Sequence, residues 1–265
     1  MALWRDMSNL TRTRVYFDKI YALWLREVTV FFREKSRLIA STFTPLLWLF
    51  VIGTGFGSSA SLTTQTVDYQ KFIFPGIICM SVVFSSVFFG AYIIWDRKFD
   101  FLKSVMVAPV SRSTIFTGKA FGGMTNSLIQ ATIILVVGLV IGVQFSPIAL
   151  VQTIIIILLL SFALTSLGLT LGSYMTSLEG FQMIVSFVVF PLFFLSGALF
   201  PIDKLPSWLS ILTTLDPVTY AVDALRNIIL GIGSHTLGLD LTILFVYTFV
   251  LGALGTYSFR RMKAV

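Results

Sequence analysis

The sequence predicts an all-α integral membrane protein that crosses the bilayer six times. The chain is 56% hydrophobic and only 12% charged, with a mean hydropathy of +0.92. Soluble domains run near about 45–50% apolar and about 25% charged residues. Apolar runs of about 20 residues, the length that one crossing takes, recur along the chain. Sixteen of the 19 Lys and Arg residues fall in alternate connections between those runs, the bias over short loops that sets orientation. That bias places residues 1–37, 96–119, 173–180 and 260–265 on the cytoplasmic side, both termini included. Only Lys71, Lys204 and Arg226 are left outside.

The net charge of +7 does not imply nucleic acid, because the positive residues gather at span ends on one side. The single cysteine, Cys79, lies inside a span. It excludes an intrachain disulfide and a cysteine-rich metal site.

Residues 1–36 form a polar, interfacial segment, and residues 37–265 form the membrane body. The first part shows no secretory signal peptide: its apolar runs are short and it is dense in arginine. From Phe17 onward the periodicity is helical. At 100° per residue Phe17, Tyr21, Trp24, Val28 and Phe31 lie within about 40° of one line, with Lys19, Arg26 and Arg33 opposite. Such a segment reads as an amphipathic helix lying along the inner membrane surface.

The spans are read at residues 38–57, 72–95, 120–142, 148–172, 181–200 and 241–259. Pro45 lies inside the first, and a Gly53-x-Gly55-x-Gly57 pattern ends it. That pattern is no dinucleotide fingerprint, since the flanking strand and helix are missing. Between spans two and three runs WDRKFDFLKSVMVAPVSRSTIFTGK, which carries Arg97, Lys98, Lys103, Arg112 and Lys119. Phe101, Leu102, Val105 and Met106 fall on one side of a short helix, and Ala108-Pro109 turns the chain away from helix. Two readings stay open: a sticky helix that another protein grips, or a charged loop resting on headgroups. The stretch before span six is too polar and proline-rich for a simple crossing. Its short apolar pieces, separated by Asp216-Pro217, fit a re-entrant hairpin or helices at the outer interface.

Catalytic chemistry is absent. His235, the lone histidine, sits in the outer loop with no expected cysteine or carboxylate constellation around it, and no metal-ligand set is read anywhere. No G-x-x-x-x-G-K-[ST] loop occurs, so ATP is not bound by that device. The expected span cores lack Asp, Glu, Lys, Arg and His, which disfavours ion-coupled transport. Sodium held by backbone carbonyls stays open as an alternative. Otherwise, if the chain moves anything uphill, the energy is expected from outside it, through the cytoplasmic loop. Within the spans, Asn126 with Gln130 and Gln182 with Ser186 are spaced i,i+4, as helix glue or as a lining for a substrate pathway. The pairs Gly118/Gly122, Gly138/Gly142 and Gly168/Gly172 read as close helix contacts.

Three stretches carry a family resemblance: ALWLREVTVFFREKSRLIASTFTPLLWLFVIGTGFG, DRKFDFLKSVMVAPVSRSTIFTGK, and FPLFFLSGALFPIDKLPSWL with LDPVTYAVDALR. In order and spacing the chain resembles the permease subunit of type-2 ATP-binding-cassette (ABC) exporters, in the drug-resistance and nodulation lipo-oligosaccharide branch. One departure stands out. The family loop reads like D-R-[acidic]-x-G-[FT]-L, whereas Lys98 and Asp100 stand here at the acidic and glycine positions.

The resemblance implies a permease that moves a drug, lipid or lipid-linked saccharide out of a prokaryotic cell through the inner or plasma membrane. It implies a homodimer, or a pair with a similar subunit, working with two copies of a separate ABC ATPase that holds ATP and Mg. It implies that this chain itself takes no cofactor and is no enzyme. Residues 101–107 become the coupling helix, with Arg97, Phe101, Leu102, Val105, Met106 and Arg112 serving the ATPase contact. Phe17, Tyr21, Trp24, Val28 and Phe31 mark the connecting helix, and residues 201–226 the re-entrant outer hairpin. Two other classes remain beside it: an ATP-independent channel or lipid scramblase, and a membrane scaffold that transports nothing.

Overall fold

In a computed structural model the backbone is described for residues 2–57, 68–101, 105, 110–202 and 206–262, with side chains from residue 16 onward apart from those of residues 37, 56 and 57. Among the described residues the regular structure is all helical, with eleven α-helices and one π-helical turn. Helix α1 (Ala2–Arg33) is followed by α2 (Lys35–Leu47), a π-helical turn (Trp48–Ile52) and α3 (Gly53–Gly57). Then come α4 (Tyr69–Phe88), α5 (Ala91–Lys98), α6 (Arg112–Val140), α7 (Pro147–Tyr174) and α8 (Leu178–Leu195). Helices α9 (Ser207–Thr214), α10 (Pro217–Leu230) and α11 (Leu237–Arg261) complete the chain.

Six helical segments are long and apolar enough to cross a membrane: Leu38–Gly55, Tyr69–Lys98, Arg112–Val140, Pro147–Tyr174, Leu178–Leu195 and Leu237–Arg261. All six expected spans are present. Several begin earlier than hydropathy implies, because serine caps start them. Ser111, Ser146 and Ser177 accept hydrogen bonds from the amides of Thr114, Ala149 and Gly180, at 3.1, 3.1 and 3.0 Å. Each satisfies an amide that a new helix leaves without a partner. Span three therefore starts at Arg112 rather than 120, which places Lys119 inside the helix. Span five ends at Leu195 rather than 200, where Ser196 and Gly197 turn the chain.

Prolines lie inside three crossings without ending them, at Pro45, Pro75 and Pro191. Pro45 sits in α2 just before the π-helical turn, the kind of irregularity that follows loss of a backbone donor. Pro75 lies fully within α4.

Helix α4 is the centre of the bundle. It packs against α2, α6, α7, α8 and α10, and most of its span is buried. Lipid tails are as apolar as leucine, so close packing rather than water exclusion must hold such helices together. The glycines supply it where α4 passes into α5. A Cβ at Gly168 would lie 2.2 Å from the Val87 carbonyl oxygen, and one at Gly90 only 2.0 Å from that of Gly168. Gly172 meets the Gly90 carbonyl in the same way. The Gly118/Gly122 pair is also a close contact, against α1. Of the third pair only Gly138 packs, against Phe74. Gly142 has φ +84° and open space around it, so it serves the turn into α7 rather than a helix contact.

Helix α1 lies along α6 rather than standing free. Its buried line is Leu23, Glu27 and Phe31, rotated roughly 80° from the expected aromatic line at 100° per residue. Phe31 is common to both lines, whereas Phe17 and Tyr21 are 63% and 58% exposed. Trp24 and Val28 are half-buried between them.

Candidate functional site

The connection after span two ends in an unusual turn. Helix α5 stops at Lys98, and Asp100 follows with φ +55°. This is the left-handed region that favours glycine, at the position where the resembling family has one. Aspartate tolerates it better than most side chains. Aspartate at this position is therefore compatible with the left-handed turn.

Beyond it, Phe101 is half-buried beneath the Arg26 guanidinium, 3.5 Å from its ring centroid. Val105 packs on a small core that includes Leu23, Phe89, Tyr92 and Phe116. Leu102 and Met106 lie outside the described residues. The two arginines of the expected coupling set hold helix ends. Arg97 donates to the carbonyls of Met175 and Ser173 at the end of α7, at 2.9 and 3.0 Å. Arg112 donates to those of Arg260, at 2.9 Å, and Met262 at the end of α11. Cations suit the negative pole of a helix C-terminus. Both side chains thereby tie spans two and three to their neighbours at the basic end of the bundle.

Just inside that end is a four-residue ionic cluster. Lys119 Nζ donates to Glu27 Oε1 at 2.8 Å and to Asp96 Oδ2. Arg26 donates to the same two carboxylates, at 2.7 and 2.8 Å. The side chains of Lys119, Glu27 and Asp96 are 0%, 1% and 6% exposed. Two cations meet two anions, so the cluster is neutral while joining α1, α5 and α6. Trp24 Nε1 to Thr125 Oγ1, at 2.9 Å, and the Tyr92 hydroxyl to Glu34, at 2.7 Å, extend the seam.

Hydropathy and charge alone leave Lys119 as a loop charge and give Glu27 no role. A signal was available. Gly118 and Gly122 flank Lys119 within one helical turn, and Glu27 stands four residues from both Leu23 and Phe31. In the structure a Cβ at Gly118 would meet Leu23, and one at Gly122 would meet the Cβ of Glu27 at 2.5 Å. Those glycines let α1 come close enough for the ions to pair.

Further along α6, the same buried side carries Asn126 and Gln130 into a cavity of about 300 Å³. Its other walls include Phe31 of α1, Thr44 and Pro45 of α2, and Met80, Phe84 and Phe88 of α4. No lining side chain is ionisable. Asn126 Oδ1 and Gln130 Oε1 are buried without a hydrogen-bond partner among the described residues. Unmet acceptors in an apolar cavity are costly, and a ligand donor or a water relieves that cost. Gln182 and Ser186 are elsewhere. Gln182 is exposed, Ser186 is half-buried, and the Ser186 hydroxyl turns back to the Gln182 carbonyl at 2.8 Å. Two of the four candidate pathway residues thus share a cavity and two do not.

At the opposite end, His235 is not isolated as the sequence implied. Folding brings α10 and α11 together and sets Asp223 and Asp240 beside its ring, with Nδ1 3.2 and 3.9 Å from their oxygens. Sequence separations of 12 and five residues across a Gly-Ile-Gly-Ser turn hid that grouping.

Six apolar crossings, with an uncharged cavity between α1, α2, α4 and α6, define a polytopic membrane protein. The chain belongs to the ABC-2 type transporter family, whose pattern matches residues 18–230. It is 31% identical to a putative transport permease ycf38 of Porphyra purpurea, over 80% of this chain and 74% of that protein. It is 26% identical to the inner membrane transport permease YadH of Escherichia coli (strain K12), over 88% of this chain and 91% of that one. Nodulation protein J of Rhizobium meliloti (strain 1021) is also 26% identical, over 91% and 92% respectively.

Proposed function

We propose that the chain is the permease subunit of an ABC exporter, driven by ATP that a separate ATPase chain hydrolyses. Two permeases, most simply two copies of this chain, work with two ATPases. Both termini face the cytoplasm, and a hydrophobic or amphipathic substrate (a drug, a lipid or a lipid-linked saccharide) leaves through the bundle. The proteins called transport permease YadH and nodulation protein J support membership of this functional group.

One observation carries the reading. The buried side of α6 runs from the loop that holds Phe101 and Val105, through Lys119, to Asn126 and Gln130 in the cavity. A push on the loop therefore acts on the cavity wall through one continuous helix. The cavity offers no ionisable group with which to couple to a proton gradient. The exposed apolar faces of α2 and α8, including Ile39, Phe43, Met183 and Phe187, suit lipid or a second permease.

The coupling needs little energy. Swinging an equilibrium from 1:99 to 99:1 takes about 5.5 kcal/mol of differential binding. A few apolar side chains buried in a partner's groove supply that, at about 1.5–3 kcal/mol each. Leu102→Asp tests the assignment in the permease–ATPase complex. Substrate-stimulated ATPase activity is expected to vanish while the permease still inserts. Normal stimulation in that variant would remove residues 101–107 from the coupling role.

A further inference from the structure

We propose that Asp223, His235 and Asp240 form a binding site for one divalent cation, with Zn²⁺ the best match. The three lie at the end of the bundle away from Arg112 and Arg260, where α10 turns into α11. One ligand atom from each falls within 4.8 Å of the others. The Asp223 carboxylate is 2% exposed and fixed in place. It accepts from the amides of Ser234, at 2.8 Å, and His235, at 2.7 Å. Those bonds also position the His235 ring, whose Nδ1 stands 3.2 Å from Asp223 Oδ2. A carboxylate has about four lone-pair positions, so Asp223 keeps the capacity to ligate.

Asp240 is the observation that points to a ligand. Its side chain is 0% exposed, and neither carboxylate oxygen has a hydrogen-bond partner among the described residues. The nearest cationic candidate, His235 Nδ1, is 3.9 Å away, too far for a hydrogen bond. A buried carboxylate left in that state is costly unless it is paired or coordinates a metal. A dication between the three groups satisfies both carboxylates and the imidazole together.

The spacing suits zinc. Donors at about 2.0–2.2 Å from a tetrahedral Zn²⁺ lie roughly 3.3–3.6 Å from one another. The His235 Nδ1 separations of 3.2 and 3.9 Å bracket that range, and the two carboxylates lie within 4.8 Å of each other, so closure takes movements of up to about an ångström. One nitrogen and two carboxylate oxygens also favour zinc over magnesium or calcium, which prefer all-oxygen sets. His235 is 35% exposed, so a water has access to a fourth position. The bound ion joins α10 to α11 and fixes the turn between them.

The test uses the full chain purified in detergent with a histidine-free tag and stripped with a chelator. Zinc chloride titrated by calorimetry, with metal analysis after desalting, is expected to give one equivalent per chain. His235→Ala and Asp240→Asn are each expected to weaken binding at least tenfold. Because His235 is the sole histidine, Cu²⁺ bound to the wild-type chain is expected to show one imidazole nitrogen by pulsed EPR. That readout stands even if a variant misfolds. Absence of stoichiometric zinc, affinity unchanged in both variants, or copper without an imidazole signal would each overturn the site.

Discussion

Lys119 Nζ and Glu27 Oε1 lie 2.8 Å apart, on two different helices and with almost no solvent reaching either side chain. Removing one partner from a buried pair strands the other's charge, at about 3–5 kcal/mol, whereas replacing the whole set with apolar or neutral groups is far cheaper. Lys119→Met is therefore expected to destabilise the chain by about that amount. Combining it with Glu27→Gln, which restores neutrality and leaves the Arg26–Asp96 pair, is expected to recover most of the loss. Thermal unfolding in detergent, followed by tryptophan fluorescence, reads both. Additive damage in the combined variant would mean the cluster does not act as a unit.

Asp100 stands at φ +55° in the turn leading to Phe101. A left-handed backbone costs ordinary residues roughly 1–2 kcal/mol, more for β-branched ones, and costs glycine nothing comparable. Asp100→Val, which places a β-branched side chain at that φ, is expected to lower the melting temperature more than Asp100→Gly. The reverse order would contradict the turn.

The crossing of span two with α7 depends on Gly168, whose missing Cβ leaves room for the Val87 carbonyl. Backbone cannot move aside as a flexible side chain can. Gly168→Ala is therefore expected to cost about 3 kcal/mol, the upper end of overpacking penalties. Gly238, where an added methyl would meet nothing within 4 Å, is the control. Gly238→Ala is expected to leave stability within about 0.5 kcal/mol of the parent. Size-exclusion profiles and thermal unfolding of the two variants separate these outcomes.

Asp216 caps α10 by accepting from the Val218 amide at 2.9 Å, and burial pushes its carboxyl up to about 8 from 3.8. The folded state therefore holds a proton that the unfolded chain has lost. Stability from this group is greatest below pH 3.8, falls as the pH rises toward about 8, and is level above that. Asparagine caps equally well and does not ionise. The melting temperature of Asp216→Asn, relative to the parent, is expected to rise between about pH 5 and pH 8. A difference independent of pH would show that Asp216 is ionised in the fold.

Much of the fold was legible in the sequence. Six crossings could be counted because apolar length and the placement of Lys and Arg are one-dimensional signals. Helix starts were less visible: a serine cap such as Ser111 extends a helix through residues whose hydropathy reads as loop. That misplacement hid the ionic cluster, since Lys119 belongs to span three only once the helix is known to begin at Arg112. The aromatic line of α1 gave its helicity correctly but its buried side only in part. Glu27, a charge, lies on the packed face because partners on α5 and α6 neutralise it. Asn126 and Gln130 were found from their i,i+4 spacing. Gln182 and Ser186 share that spacing yet face away, because spacing shows which residues share a helix face and not what that face meets. Asp223, His235 and Asp240 are joined only by the packing of α10 on α11, which no local pattern records.

The central claim is that this membrane body has no energy source of its own. Reconstituting the purified chain into liposomes, with and without its ATPase partner, and measuring accumulation of a fluorescent amphipathic substrate against its gradient tests that most directly. Accumulation is expected only with the ATPase and ATP present. Uphill transport by vesicles containing this polypeptide alone would contradict the account.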